Sequence, residues 1–153
     1  MSKWRKVWRL SRLELLLLVQ SGLALPAVAA LIRIKGLRKC QASLARLTPA
    51  ETLAGSHTTG AGEQQVRYVA RMVRAAATHG PFRANCLQQS VTLWWLLRRR
   101  GLESELRIGT RKEDGRFDAH AWVEFDGRVL NEGSDVGARY AAFDLPVNSP
   151  GTR

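Results

Sequence analysis

Cys86, His120 and the adjacent pair Asn131 and Glu132 are the residues of this chain whose types and spacing could carry out acyl chemistry. A thiol attacks a carbonyl only as the thiolate, and a helix start favours the thiolate by aiming unpaired N–H groups and the positive dipole end at the sulfur. In the stretch RANCLQQSVTLWWLLRRRG, residues 83–101, Asn85 is a good N-cap. Gln88, three residues on, completes an N-x-x-Q variant of the capping box, so Cys86 falls at the first helical position. A cysteine in that place can also serve merely as a small buried hydrophobe. His120 lies 34 residues further on, in a stretch that alternates like a strand. It can supply the imidazole that takes the thiol proton and later protonates a leaving group.

The orienting partner of His120 depends on the hairpin that follows. If Asp126-Gly127 form a two-residue type I′ turn, His120 shares its sheet face with Asn131. If the turn is type I with a bulge at Gly127, Glu132 lies opposite His120. Asp135 is a more distant substitute.

The elements that must hold these groups read as follows. Val66, Val69, Met72, Val73, Ala76 and Ala77 recur at steps of three and four from Glu63 to His79, one face of a helix that Gly80-Pro81 ends. The cysteine helix runs to Arg100 and stops at Gly101, burying Leu87, Val91 and Trp94 with Trp95 or Leu97. After Gly101 the period changes to that of antiparallel strands in ESELRIGT, RFDAHAWVEF and GRVLNE. Upstream, Leu15 to Ile32 forms an apolar run interrupted by Gln20, Ser21, Gly22 and Pro26. It predicts two apolar helices, about 4–20 and 26–47, bent at Gly22 and Pro26 and packed on the body or a partner in preference to membrane insertion. The organisation expected is a helical hairpin over 1–47, a linker over 48–62 and a core over 63–153.

The chain has 153 residues and a formal net charge of +11. Residues 1–50 hold ten Lys or Arg against the single acid Glu14, leaving 14 basic and 12 acidic residues for 51–153. The basicity therefore belongs to the N-terminal appendage, which suits an acidic partner or a membrane surface. Nucleic acid is not expected, because aromatic residues do not interleave with the basic cluster on a strand platform. Trp4 and Trp8, four apart among basic residues, fit helix packing or a membrane interface. Cys40 and Cys86 lack C-x-x-C spacing and His57, His79 and His120 are scattered singly, so neither a metal site nor a disulfide framework is expected. His57, in the Gly- and Thr-rich linker, and His79, in a last helical turn, are given no chemical role.

The order of a cysteine opening a helix, a histidine in a strand and an acid or amide one strand later is the papain-like arrangement. The segments NCLQQSVTLWWLLRRRGLESELRIGTR and DAHAWVEFDGRVLNE, with the apolar N-terminal helices, resemble the transglutaminase-like leader peptidases of lasso-peptide biosynthesis over roughly residues 4–145. The resemblance implies an α+β fold, a cysteine-bearing helix packed on a small antiparallel sheet, and a Cys-His-acid triad of Cys86, His120 and Glu132. That family usually ends the motif in Asn-Asp, where this chain has Asn131-Glu132. Glu132 is favoured because a carboxylate also stabilises the imidazolium. The implied activity is removal of the leader from a ribosomally made precursor, so that an ATP-dependent partner cyclase can close the macrolactam, with no metal or cofactor in the peptidase. A small leader-recognition protein is expected to act in trans, and the location to be cytoplasmic, with membrane association open to the basic appendage.

Overall fold

The computed structural model describes residues 11–48, 60–113 and 115–143. The expectations for Trp4, Trp8, His57, most of the linker and the C-terminal tail lie outside them.

Helix α1 spans Arg12–Lys35 and opens on a capping box, with Ser11 Oγ accepting from the Glu14 N–H at 3.2 Å and the Glu14 carboxylate accepting from the Ser11 N–H at 2.9 Å. The bend expected at Gly22 and Pro26 is not there: α1 runs through both residues. An interior proline costs a helix about 3 kcal/mol. The opposite face buries Ala24, Leu25 and Val28. Burial of the two larger side chains contributes about 3 to 6 kcal/mol, which offsets the proline. The chain breaks instead at Gly36, whose φ of 76° suits glycine, and continues as α2, Leu37–Arg46.

Helix α3, Gly60–His79, buries all six residues of its predicted face. Helix α4, Cys86–Arg98, follows, and residues 99–102 fold back on its last turn, with Leu102 N–H donating to the Leu97 carbonyl. Gly101 there has a φ of 73°, the left-handed stop that its type announces. Side chains from α1 (Leu25, Val28), α2 (Cys40, Leu44), α3 (Val69, Val73) and α4 (Leu93, Leu97) form one apolar cluster. The expected helical appendage thus shares its core with the rest.

The sheet is antiparallel, ordered β3-β2-β1-β4, from β1 (Glu105–Glu113), β2 (Arg116–Phe125), β3 (Arg128–Val129) and β4 (Ala141–Phe143). A four-residue helix α5, Val136–Arg139, precedes β4. Alternation in β2 divides the sheet faces. Val123 and Phe125 join the helical cluster, whereas Trp122 packs with Val136 and Tyr140 on the other side. The β2–β3 turn has φ values of 48° at Asp126 and 70° at Gly127, and pairs Phe125 with Arg128. That is the two-residue I′ geometry.

Candidate functional site

Cys86 is the first residue of α4 and is partly exposed. Asn85 Oδ1 accepts from the Gln88 N–H at 2.9 Å and Gln88 Oε1 accepts from the Asn85 N–H at 3.0 Å, the capping box read from the sequence. The Gln89 N–H already bonds the Asn85 carbonyl. Among the described residues no acceptor meets the N–H groups of Cys86 and Leu87. They remain to serve whatever binds at the helix start.

Ser90, one turn after Cys86, docks this helix on the sheet. It is fully buried, and its hydroxyl donates to the Ala121 carbonyl at 2.8 Å. Ala121 is the residue after His120. The other end of α4 leads within a few residues into Glu105, which pairs with Glu124 at the hairpin end of β2. Cys86 opens the same helix one turn earlier, about 6 Å before Ser90 along the axis, and His120 lies midway along β2, next to the residue that Ser90 holds.

His120 Nε2 lies 3.1 Å from Glu132 Oε1, with the imidazole half-buried and Glu132 exposed at the surface. Of the candidates for orienting the imidazole, Glu132 is the one that the fold brings to it. Asn131 is used otherwise: its Oδ1 accepts from the Val123 N–H at 2.9 Å and its Nδ2 donates to Ser90 Oγ at 2.8 Å. Asp135 pairs with Arg139 at 3.0 Å. The turn type had pointed to Asn131, on the assumption that the ladder continues. It stops short: β3 ends at Val129, the Leu130 N–H still donates to the Val123 carbonyl, the Asn131 amide oxygen and no backbone carbonyl accepts the Val123 N–H, and Glu132 reaches the ring.

The ring has a second neighbour that sequence reasoning missed. Tyr140 stacks on His120 with centroids 5.2 Å apart and planes 28° from parallel. Its hydroxyl donates to Asp118 Oδ2 at 2.7 Å, which holds the Asp118 carboxyl below its ordinary range, helped by Arg111, and pushes the Tyr140 phenol up. The close approach depends on Gly109, which lies across from His120 in the β1–β2 register. A Cβ there would stand 2.9 Å from the Ala141 carbonyl and 3.0 Å from Tyr140 Cβ and the Trp122 ring. A glycine inside a strand was the available signal for that contact. An open cleft of about 410 Å³, lined by Arg111, Glu113, Arg116 and Asp118, continues from this face.

No group of three or more His, Cys, Asp or Glu side chains able to hold a metal occurs among the described residues. The arrangement has a nucleophile precursor at a helix start and an imidazole held by a carboxylate, the parts needed for acyl transfer through a thioester. The sequence profile of the Transglutaminase-like superfamily matches residues 24–143, which contain all of these groups. No curated protein and no solved structure matches the chain.

Proposed function

The chain belongs to the transglutaminase-like superfamily, and from that premise we propose that it is a cysteine peptidase that removes the leader from a ribosomally made lasso-peptide precursor. The observation that carries the catalytic part is the His120–Glu132 pair at 3.1 Å, on the strand whose Ala121 carbonyl accepts from Ser90 of the helix that Cys86 opens. The substrate rests on the resemblance of the NCLQQ and HAWVE segments and on the basic, apolar N-terminal helices.

With Glu132 accepting the Nε2–H, the other ring nitrogen, Nδ1, is the unprotonated base. It takes the proton of Cys86, and the thiolate attacks the carbonyl at the leader–core junction. The S–C bond forms, and the oxyanion is received by the N–H groups at the start of α4. His120 then gives the proton to the departing amine as the C–N bond breaks. Water, deprotonated by the same imidazole, adds to the thioester and frees the leader as a carboxylate.

A small recognition protein delivers the leader in this scheme, and an ATP-dependent cyclase consumes the released core. The test is mass spectrometry of a precursor incubated with the full chain and its recognition protein. A leader with a free carboxylate, lost in Cys86→Ala, is expected. A leader joined to an added amine would assign acyl transfer to an amine, and processing that survives Cys86→Ala would leave a non-catalytic scaffold.

A further inference from the structure

The outer face of α1 is aliphatic and exposed. Leu13, Leu16, Val19, Leu23 and Ile34 are exposed, Leu16 by 66%, Leu23 by 70% and Ile34 by 78%. At about 100° per residue, Leu16, Val19, Leu23 and Ile34 fall within about 60° of one another, a stripe about 30 Å long. Soluble surfaces rarely expose aliphatic patches of that extent without a partner. The helix is long and apolar enough to cross a membrane, yet most of its most apolar stretch lies outside the core, unlike a buried core helix.

The charges around the stripe identify what covers it. Arg12 stands at one end, and Arg33 and Lys35 flank Ile34 at the other, about 100° to either side of it. Arg38 and Lys39 follow on α2, and Lys3, Arg5, Lys6 and Arg9 precede α1 in sequence together with Trp4 and Trp8. The one acid of the first 50 residues, Glu14, is taken by Ser11 and Arg71. An aliphatic stripe with cationic ends and no free acid is complementary to acyl chains beneath anionic headgroups. A protein interface would instead carry an aromatic core and a mixed polar rim.

The inner face decides how the helix meets the lipid. Leu25 and Val28 are buried in the shared core, and Gln20 Oε1 accepts from Arg100 at 2.7 Å. A spanning orientation would strip those contacts, so α1 remains docked. We propose that α1 lies in the plane of an anionic membrane, its outer stripe among the upper acyl chains and its basic ends at the headgroups.

Co-sedimentation of the full chain with vesicles tests this. Binding is expected to phosphatidylcholine vesicles containing phosphatidylglycerol, with affinity at least about tenfold lower for phosphatidylcholine alone. The triple variant Leu16→Asn, Leu23→Asn, Ile34→Asn keeps every charge and every core side chain. It should retain the wild-type circular dichroism spectrum and lose at least about tenfold in vesicle affinity. Should that variant unfold, the single change Leu23→Asn must still weaken binding. Failure of the wild-type chain to sediment, or equal binding by stripe variant and wild type, overturns the proposal. So does a wild-type dimer that ignores vesicles and that the stripe variant dissolves, since the occupant would then be a second copy.

Discussion

Two cysteines in this molecule meet opposite surroundings. Cys40 faces inward from α2 with no exposed surface, among Leu25, Val28 and Leu44, and burial pushes its thiol above the ordinary value of 9.0 despite the nearby Lys35. Cys86 stands at the beginning of α4, partly open to solvent, and among the described residues no acceptor meets the backbone N–H groups beside it. The residue type is the same, and depth and backbone position divide the roles. A thiol wrapped in hydrocarbon stays protonated and packs, whereas Cys86 is placed where solvent and a reagent can reach it.

The sharpest way to break this contrast is to remove each sulfur in turn. Cys86→Ala should lower leader cleavage by about 10⁴-fold or more, while Cys40→Ala leaves the rate within about twofold and costs roughly 1 kcal/mol of stability. Mass mapping after brief iodoacetamide treatment should find the label on Cys86, and on Cys40 only after denaturation. Labelling of Cys40 in the folded chain would contradict the division.

The adjacent residues Asn131 and Glu132 sharpen it next. Glu132→Gln should reduce kcat by about 10²-fold or more, because an amide can present its N–H to Nε2 and stabilise the wrong tautomer. Asn131→Ala should act on stability, by about 1 to 3 kcal/mol in urea unfolding, since the buried Val123 N–H and Ser90 hydroxyl lose a partner. If both variants lost activity equally at unchanged stability, the separation of a supporting amide from an orienting carboxylate would be wrong.

A smaller effect is expected at the stacked ring. Tyr140→Leu should lower kcat by about tenfold with little change in KM, by releasing the imidazole from one side. Tyr140→Phe keeps the stack and should restore most of the rate. The smallest effect is on stability against pH. The folded thiol of Cys40 ionises at higher pH than the unfolded one, so its contribution is intact below about 9.0 and is lost as pH rises beyond it. The melting temperature should fall more steeply in that alkaline range for the wild type than for Cys40→Ala.

The parts legible in the sequence were those set by neighbours along the chain. The α3 stripe, the Asn85–Gln88 cap, the Gly101 stop and the Asp126-Gly127 hairpin all follow from spacings of a few residues. The continuous path of α1 was hidden because Pro26 and Gly22 advertise a break that long-range burial of Leu25 and Val28 overrides. Tyr140 escaped because it meets His120 only once β4 has paired with β1, with Gly109 leaving the room. The division between Asn131 and Glu132 turns on a chemical need that no turn rule contains. One side chain has to accept from a backbone N–H and donate to a hydroxyl at once, which an amide does and an ionised carboxylate does not.

The imidazole draws its surroundings from both ends of the folded core: Ser90 holds the strand beside it, and Tyr140 closes over it only three residues before β4 ends. A chain still being synthesised carries Cys86 and His120 before Tyr140 is there to stack on the ring. The imidazole therefore has its stacking partner only after β4 has followed and paired with β1.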